Sequence, residues 1–266
     1  MKKIHLILLP LALLMACNPS GHKKQADTSK TVETEDWIQL FNGKDLDGWT
    51  IKMNKYPLNE NFNNTFRVEN GMMVTRYDRY DQFDDEYGHI FYKTPYSHYK
   101  LRVEYRVVGE QVTGGQGWAL KNSGVMFHAQ SPGSMLVNQG FPVSIEAQFL
   151  GGSGEGDRPT GNLCTPGTHV HIDGELVTQH CTNSTSATFH GEEWVAFELV
   201  VYGDSIIHHI VEGDTVLTYT SPRIGGDLPE GFPLAEGTPL TSGYIALQAE
   251  SHPYEFRKVE LLKLAH

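Results

Sequence analysis

Leu101-Arg102-Val103-Glu104-Tyr105-Arg106-Val107 alternates apolar and polar side chains, the period-two signature of a strand with one face buried. Val195 to Tyr202, Ser205 to Val211 and Thr215 to Tyr219 follow one another closely as further β-rich runs. Gly203-Asp204 and Glu212-Gly213-Asp214 separate them with the residues that tight hairpins favour. Ser123 to His128, Val143 to Phe149, Tyr244 to Gln248 and Glu255 to Leu262 predict additional strands, and helical periodicity is scarce. Many short strands bounded by Gly, Pro, Asn and Asp predict an all-β sandwich or barrel. The stretches 54–64, 109–117 and 151–161 are rich in Asn or Gly and predict long loops of the kind that carry function.

The first residues break this pattern. Lys2 and Lys3 precede an apolar run from Ile4 to Leu14, too short for a bilayer span and suited to a signal-peptide core. It ends at Leu14-Met15-Ala16-Cys17, which looks like a lipobox, so residues 1–16 are expected to be a lipoprotein signal with Cys17 lipidated. Residues 17–35 hold almost nothing to bury and read as a flexible tether. A single domain is expected over 36–266. The expected location is the envelope of a Gram-negative bacterium, periplasmic or on the outer-membrane surface, with the lipid anchor as the membrane contact.

Charge narrows the partners. The chain carries 21 Lys+Arg and 32 Asp+Glu, a net −11 that becomes −13 once Lys2 and Lys3 leave with the leader. Such an acidic balance argues against nucleic acid and is neutral towards sugars. With Cys17 lipidated, Cys164 and Cys181 remain as a pair in an oxidising compartment and predict a disulfide. It would close a loop of about eighteen residues, worth roughly 3 kcal/mol in the chain-entropy view.

Several polar positions share a face by alternation. Ser144, Glu146 and Gln148 do so, with Val143, Ile145, Ala147 and Phe149 turned to the core. They line either solvent or a ligand groove. Tyr244, Ala246, Gln248 and Glu250 alternate in the same way, and His252 follows as a second group able to move protons near neutral pH. Asn122, Gly124, Met126 and His128 share a third face, where Gly124 would let a ligand approach the sheet. Trp118 can stack on a pyranose ring or cap the sandwich, and Arg257 can contact substrate or serve a structural ion pair. His169, His171 and Asp173 alternate and can hold a divalent metal; a solvated hairpin is the alternative. The acidic run 78–86 lacks the EF-hand pattern and reads as a solvated loop. No Gly-x-Ser-x-Gly elbow, His-Glu-x-x-His motif or phosphate loop is present.

Beyond these elements, an ordered set of short motifs resembles one family. Trp37-Ile38-Gln39-Leu40-Phe41-Asn42-Gly43-Lys44-Asp45-Leu46-Asp47-Gly48-Trp49 resembles the opening signature of the 3-keto-disaccharide hydrolase domain family. Arg67-Val68-Glu69-Asn70-Gly71-Met72, Asn122-Ser123-Gly124-Val125, Ile145-Glu146-Ala147-Gln148 and Thr160-Gly161-Asn162-Leu163 resemble its following elements. Gly191-Glu192-Glu193-Trp194, Ile245-Ala246-Leu247-Gln248 and Glu255-Phe256-Arg257 complete the order, from Trp37 to about Leu264. The chain departs from the family in reaching His128 where many relatives have Arg, and in a longer stretch from Cys164 to His190.

The resemblance implies a concanavalin-like jelly roll, two stacked antiparallel sheets with a concave sugar-binding face. It also implies hydrolysis of glycosides whose sugar carries a ketone at C3. That ketone acidifies the C2 hydrogen, so the expected route is elimination of the C1 oxygen followed by hydration. On this basis Glu146 and His252 are the expected proton-transfer groups. Asn122, His128, Gln148, Gln248, Trp118 and Arg257 are the expected substrate contacts. Two alternatives stay open: a non-catalytic glycan-binding lipoprotein, and an ordinary glycosidase pairing Glu146 with Glu104 or Glu250.

Overall fold

A computed structural model describes residues 35–265. The expected leader, the lipidation site Cys17 and residues 17–34 of the expected tether lie outside the described residues. Glu35–His266 forms one unit by its internal contacts.

Among the described residues, seventeen strands are divided between two sheets. In chain order they are β1 (Ile38–Gln39), β2 (Trp49–Met53), β3 (Phe66–Glu69), β4 (Met72–Thr75), β5 (Gly88–Tyr92) and β6 (His98–Val107). Next come β7 (Asn122–Ala129), β8 (Ile145–Leu150), β9 (Asn162–Cys164), β10 (Thr168–Ile172), β11 (Glu175–Val177) and β12 (Cys181–Thr182). The last are β13 (Val195–Tyr202), β14 (Ile206–Val211), β15 (Asp214–Ile224), β16 (Tyr244–Ala249) and β17 (Tyr254–Lys263). The larger sheet has ten strands, ordered β11-β10-β15-β14-β13-β6-β17-β4-β3 with β1 added on β17. The smaller has seven, ordered β12-β9-β8-β7-β16-β5-β2. All registered pairs are antiparallel, and the expected all-β jelly roll is the observed fold.

The core lies between the sheets. In β6 every second residue is buried, as its alternation requires. Tyr105 from this strand stacks on Phe149 of β8 with ring centroids 3.9 Å apart, and Phe149 meets Phe197 of β13 edge-on at 5.0 Å. Each such ring contributes roughly 1.5–3 kcal/mol through burial. Strand β7 behaves differently from β6: all eight of its residues are buried. Ser123, Val125 and Phe127 belong to the inward set, and the opposite set is covered by loops rather than by solvent. That second covered face is where the polar residues collect.

The hairpin turns follow their sequences. Asn70-Gly71 joins β3 to β4 with φ of +51° and +78°, the two left-handed residues that a type I′ turn needs. Cys164 and Cys181 form the expected disulfide, joining β9 to β12 at the edge of the smaller sheet.

Candidate active site

The outer face of the smaller sheet divides into two parts. One is apolar, where Phe91, Met126 and Ala246 pack beneath Met135. The other is polar and opens into a pocket of about 380 Å³, within the ~300–1,000 Å³ range usual for small-molecule sites. Trp118, Asn122, Phe141, Glu146, Gln148 and Glu250 line it from the sheet and loops. The Cys164–Cys181 disulfide, Pro166 and His180 close one flank. The disulfide therefore has a local role besides its effect on the unfolded chain: it holds a wall of the pocket.

Two glutamates face this pocket from different strands. Glu146 stands on β8 at 5% exposure, and Glu250 follows directly on β16 at 2%. The Glu146 side chain lies over Gly124 of β7, its Oε1 2.7 Å from the point where a Cβ on that residue would sit. The clearance expected over Gly124 is thus used by a carboxyl of the protein rather than left for ligand. Burial pushes the Glu146 carboxyl up to about 8. Glu250 is held well above the usual carboxylate range, chiefly by burial and then by the charge of Glu146. Two carboxyls in one desolvated site oppose double ionisation, so the pair retains at least one proton at neutral pH.

The neighbouring amides are only partly used. Gln248 Nε2 donates to Glu250 Oε1 at 2.9 Å, and Asn162 Nδ2 donates to Gln148 Oε1 at 3.1 Å. Asn122 Oδ1, Glu146 Oε1, Gln248 Oε1 and Glu250 Oε2 are buried and have no hydrogen-bond partner among the described residues. Four such atoms gathered on one face are costly in a finished core and natural in a site awaiting a polyhydroxylated ligand. Trp118, 54% exposed, stacks on Tyr87 at 5.7 Å and stands at the mouth beside Phe141. Its free ring surface suits the apolar face of a sugar.

The structure brings together Glu146, Gln148, Asn122, Gln248 and Trp118 and separates the other expected residues. His252 does not line the pocket. Ser251 takes φ +82° and donates its N–H to Tyr77 Oη, which ends the alternation that would have carried His252 onto the sheet face. Burial, then the Lys121 charge, lowers the His252 imidazole to about 4, against the pull of the Gly109 backbone. It is therefore neutral at pH 7.

His128 is also redirected. It has φ +46°, and the β7–β16 register shifts beside it. Its Nε2–H donates to the Gly203 carbonyl at 3.0 Å, in the turn between β13 and β14 of the other sheet. A strand alternates only while its residues stay extended, and this one does not. Arg257 lies on the ten-stranded sheet, ion-paired to Glu104 with its guanidinium 4.4 Å above the Trp194 ring. Arg257 and Glu104 thus lie together on the other sheet, apart from the pocket that Glu146 lines.

The histidine pair with Asp173 does not converge either. A register irregularity separates His169 from His171 along β10, and Asp173 forms the β10–β11 turn with Gly174. Among the described residues no three His, Cys, Asp or Glu side chains are grouped to hold a metal ion. In the acidic run, Asp78 pairs with Arg67 and Asp84 with Lys55.

Sequence reasoning missed Lys52 and His89. Both are buried on the same outer face, next to each other in the β2–β5 register and in line with Gln248. Lys52 Nζ donates to the Val137 carbonyl at 3.0 Å, tying down the loop that carries Phe141. Burial, with the nearby Lys52 charge, lowers His89 to about 3. β5 is buried along its whole length, so its sequence shows no alternation to flag His89.

A two-sheet jelly roll with this pocket defines a protein of the glycoside-hydrolase-like or carbohydrate-binding class. Within that class the chain belongs to the 3-keto-alpha-glucoside-1,2-lyase-like domain family, whose profile matches residues 36–262. Two solved structures of candidate glycosyl hydrolases from Parabacteroides distasonis share the fold, each at 19% identity over 86% of this chain. The first is covered over 99% of its length with a TM-score of 0.51, the second over 94% with 0.50. No curated protein matches the chain.

Proposed function

We propose that this protein cleaves glycosides whose sugar bears a ketone at C3, by elimination across C1–C2 followed by hydration. The observation that carries this reading is the buried Glu146–Glu250 pair beside the unpartnered Asn122 and Gln248 oxygens. The family's description as lyase-like, naming the 1,2 positions of a keto-glucoside, supports the same chemistry.

As pH rises through about 8 Glu146 gives up its proton first, and its charge keeps Glu250 protonated, so the pair then holds one proton between two carboxyls. The ionised member takes the C2 hydrogen as a proton, the C–H electrons form the C1–C2 double bond, and the C1–O bond breaks. The protonated member supplies a proton to the departing oxygen. Water then adds its oxygen to C1 and a proton to C2, so the balance is that of hydrolysis without redox. Asn122, Gln148 and Gln248 hold the hydroxyls and carbonyl, and Trp118 covers a ring face. His252, neutral and outside the pocket lining, has no part in this scheme.

Product analysis with a 3-keto-glucoside and its unoxidised parent in deuterated water tests the proposal. Release of the aglycone from the keto compound alone, with deuterium at C2 of the sugar product, is expected. Cleavage of the parent without C2 exchange would instead assign the carboxyl pair to ordinary glycoside hydrolysis. Saturable sugar binding with no product would make the protein a binding module.

We further infer that the protein works in a Gram-negative envelope, lipid-anchored through Cys17. The leader sequence and the Cys164–Cys181 disulfide, which needs an oxidising compartment, support this. Loss of fatty-acid labelling in Cys17→Ser is the expected result; retained labelling would refute the anchor.

A further inference from the structure

One cross-strand row crosses the outer face of the smaller sheet from β9 to β2. Asn162 pairs with Gln148, Gln148 with Gly124, Gln248 with His89 and His89 with Lys52. Gln248 follows Leu247, the register partner of Val125, so it stands beside Gly124 and completes the row. The members on β8 and β16 are already part of the carboxyl site; His89 and Lys52 extend the row past it. His89 is fully buried, yet neither Nδ1 nor Nε2 has a hydrogen-bond partner among the described residues. An imidazole with its N–H donor and its acceptor both unused is costly in a finished core. Behind it, Lys52 Nζ donates to the Met53 and Val137 carbonyls at 2.7 and 3.0 Å and forms no ion pair among the described residues. A buried ammonium without a counter-charge makes this end of the row positive, whereas Glu146 and Glu250 make the other side of Gln248 acidic.

We infer that His89 is a further catalytic residue: with Gln248, its neighbour in the row, it donates to the C3 carbonyl oxygen of the keto-sugar as negative charge gathers there. Lys52 is its positioning residue. The inference rests on the reading that Glu146 and Glu250 act at C1 and C2. In that reaction the C2 proton passes to a carboxylate. The C–H electron pair spreads onto the C3 oxygen before it closes the C1–C2 double bond and the C1–O bond breaks. A carboxylate cannot stabilise that charge; an N–H donor backed by a buried cation can. His89 keeps its own proton throughout. Burial and the Lys52 charge hold its imidazole neutral at pH 7, so it donates a hydrogen bond and leaves proton transfer to the carboxyls. Phe141 covers His89 edge-on at 5.8 Å and packs on Tyr87 at 5.0 Å. Gln248 and Glu250 are as deeply buried as His89, so a ligand that reaches them displaces cover from the same row. Phe141 lines the pocket as well as roofing His89, which joins the two openings.

The test uses a 3-keto-glucose with hydrogen in place of its C1 oxygen substituent, which can form the enolate but cannot eliminate. Deuterium entry at C2 in deuterated water is followed by NMR with the full-length protein and its variants. His89→Phe is expected to fold, since it removes unpartnered polar atoms from a buried place and fills the space with a ring. Its exchange rate at saturating substrate should fall by about 10²–10³, with KM changed by less than about fivefold. His89→Gln keeps an N–H donor and should restore about tenfold of that loss, and Lys52→Met should be slower than native by about tenfold. A folded His89→Phe that loses less than about tenfold overturns the role of His89 and leaves the elimination reading intact. Should that variant not fold, His89→Gln decides: a loss below about fivefold overturns the inference, and a larger one upholds it. Native protein that cleaves a 3-keto-glucoside without exchanging the deoxy compound also overturns it. Native protein that does neither overturns the elimination reading itself, and the role of His89 with it.

Discussion

Glu146 Oε1 lies 2.7 Å from where a Gly124 side chain would begin, and the Ala147 carbonyl lies 2.9 Å from the same point. β8 supplies the buried carboxyl, and the bare Cα of Gly124 on β7 leaves the space that carboxyl occupies. Gly124 has no positive φ, so its requirement is for space and not for backbone freedom.

Gly124→Ala is therefore expected to displace the Glu146 carboxyl while the sandwich persists. Overpacking of this kind costs about 1–3 kcal/mol. Turnover should fall by two orders of magnitude or more, since sub-ångström placement governs proton transfer. Thermal melting and kcat measured together check this; unchanged kcat in a folded variant would contradict the site geometry.

Replacing Glu146 by Gln should separate catalysis from stability. Its folded pKa of about 8 lies above the ordinary 4.5, so the unfolded chain ionises first as pH rises. The protonated carboxyl is fully compatible with folding below about pH 4.5, and the native protein loses stability as pH climbs from there towards 8. Glu146→Gln removes that loss. The variant should melt a few degrees above the native protein at pH 8, and the difference should shrink towards pH 5. Its kcat should be lower by about 10²–10⁴. A variant less stable than the native protein at pH 8 would show that the buried charge is compensated.

His128 gives the opposite outcome. His128→Ala removes the bond to the Gly203 carbonyl and leaves a non-glycine residue at φ +46°. A loss of about 1–3 kcal/mol in denaturant unfolding is expected, with kcat/KM within about twofold of native. A large loss of activity at unchanged stability would return His128 to the substrate site.

Much of this was readable along the chain, for reasons that are local. The strands at 98–107, 195–202 and 206–211 show their alternation because one of their faces meets solvent. The pairing of Cys164 with Cys181 followed from cysteine count and the expected export of the chain. Glu146, Gln148 and Gln248 were visible as polar positions in otherwise apolar strands. His89 was not, because β5 is buried along its whole length and shows no alternation that marks it as a strand.

The residues that the structure sets apart from the pocket are displaced for two reasons. His128 and His252 sit where a left-handed residue ends the extended backbone, at His128 itself and at Ser251. Arg257 lies at a register shift of β17 in the other sheet, and which sheet a strand joins is a long-range pairing that period cannot encode. Short-range alternation established that there are strands, which of their faces are apolar and where polar groups interrupt them. The meeting of Glu146 with Glu250, more than a hundred residues apart in the chain, and the protonation it favours were set by sheet order and burial. Desolvation and charge–charge repulsion act between groups close in space, whatever their separation along the chain.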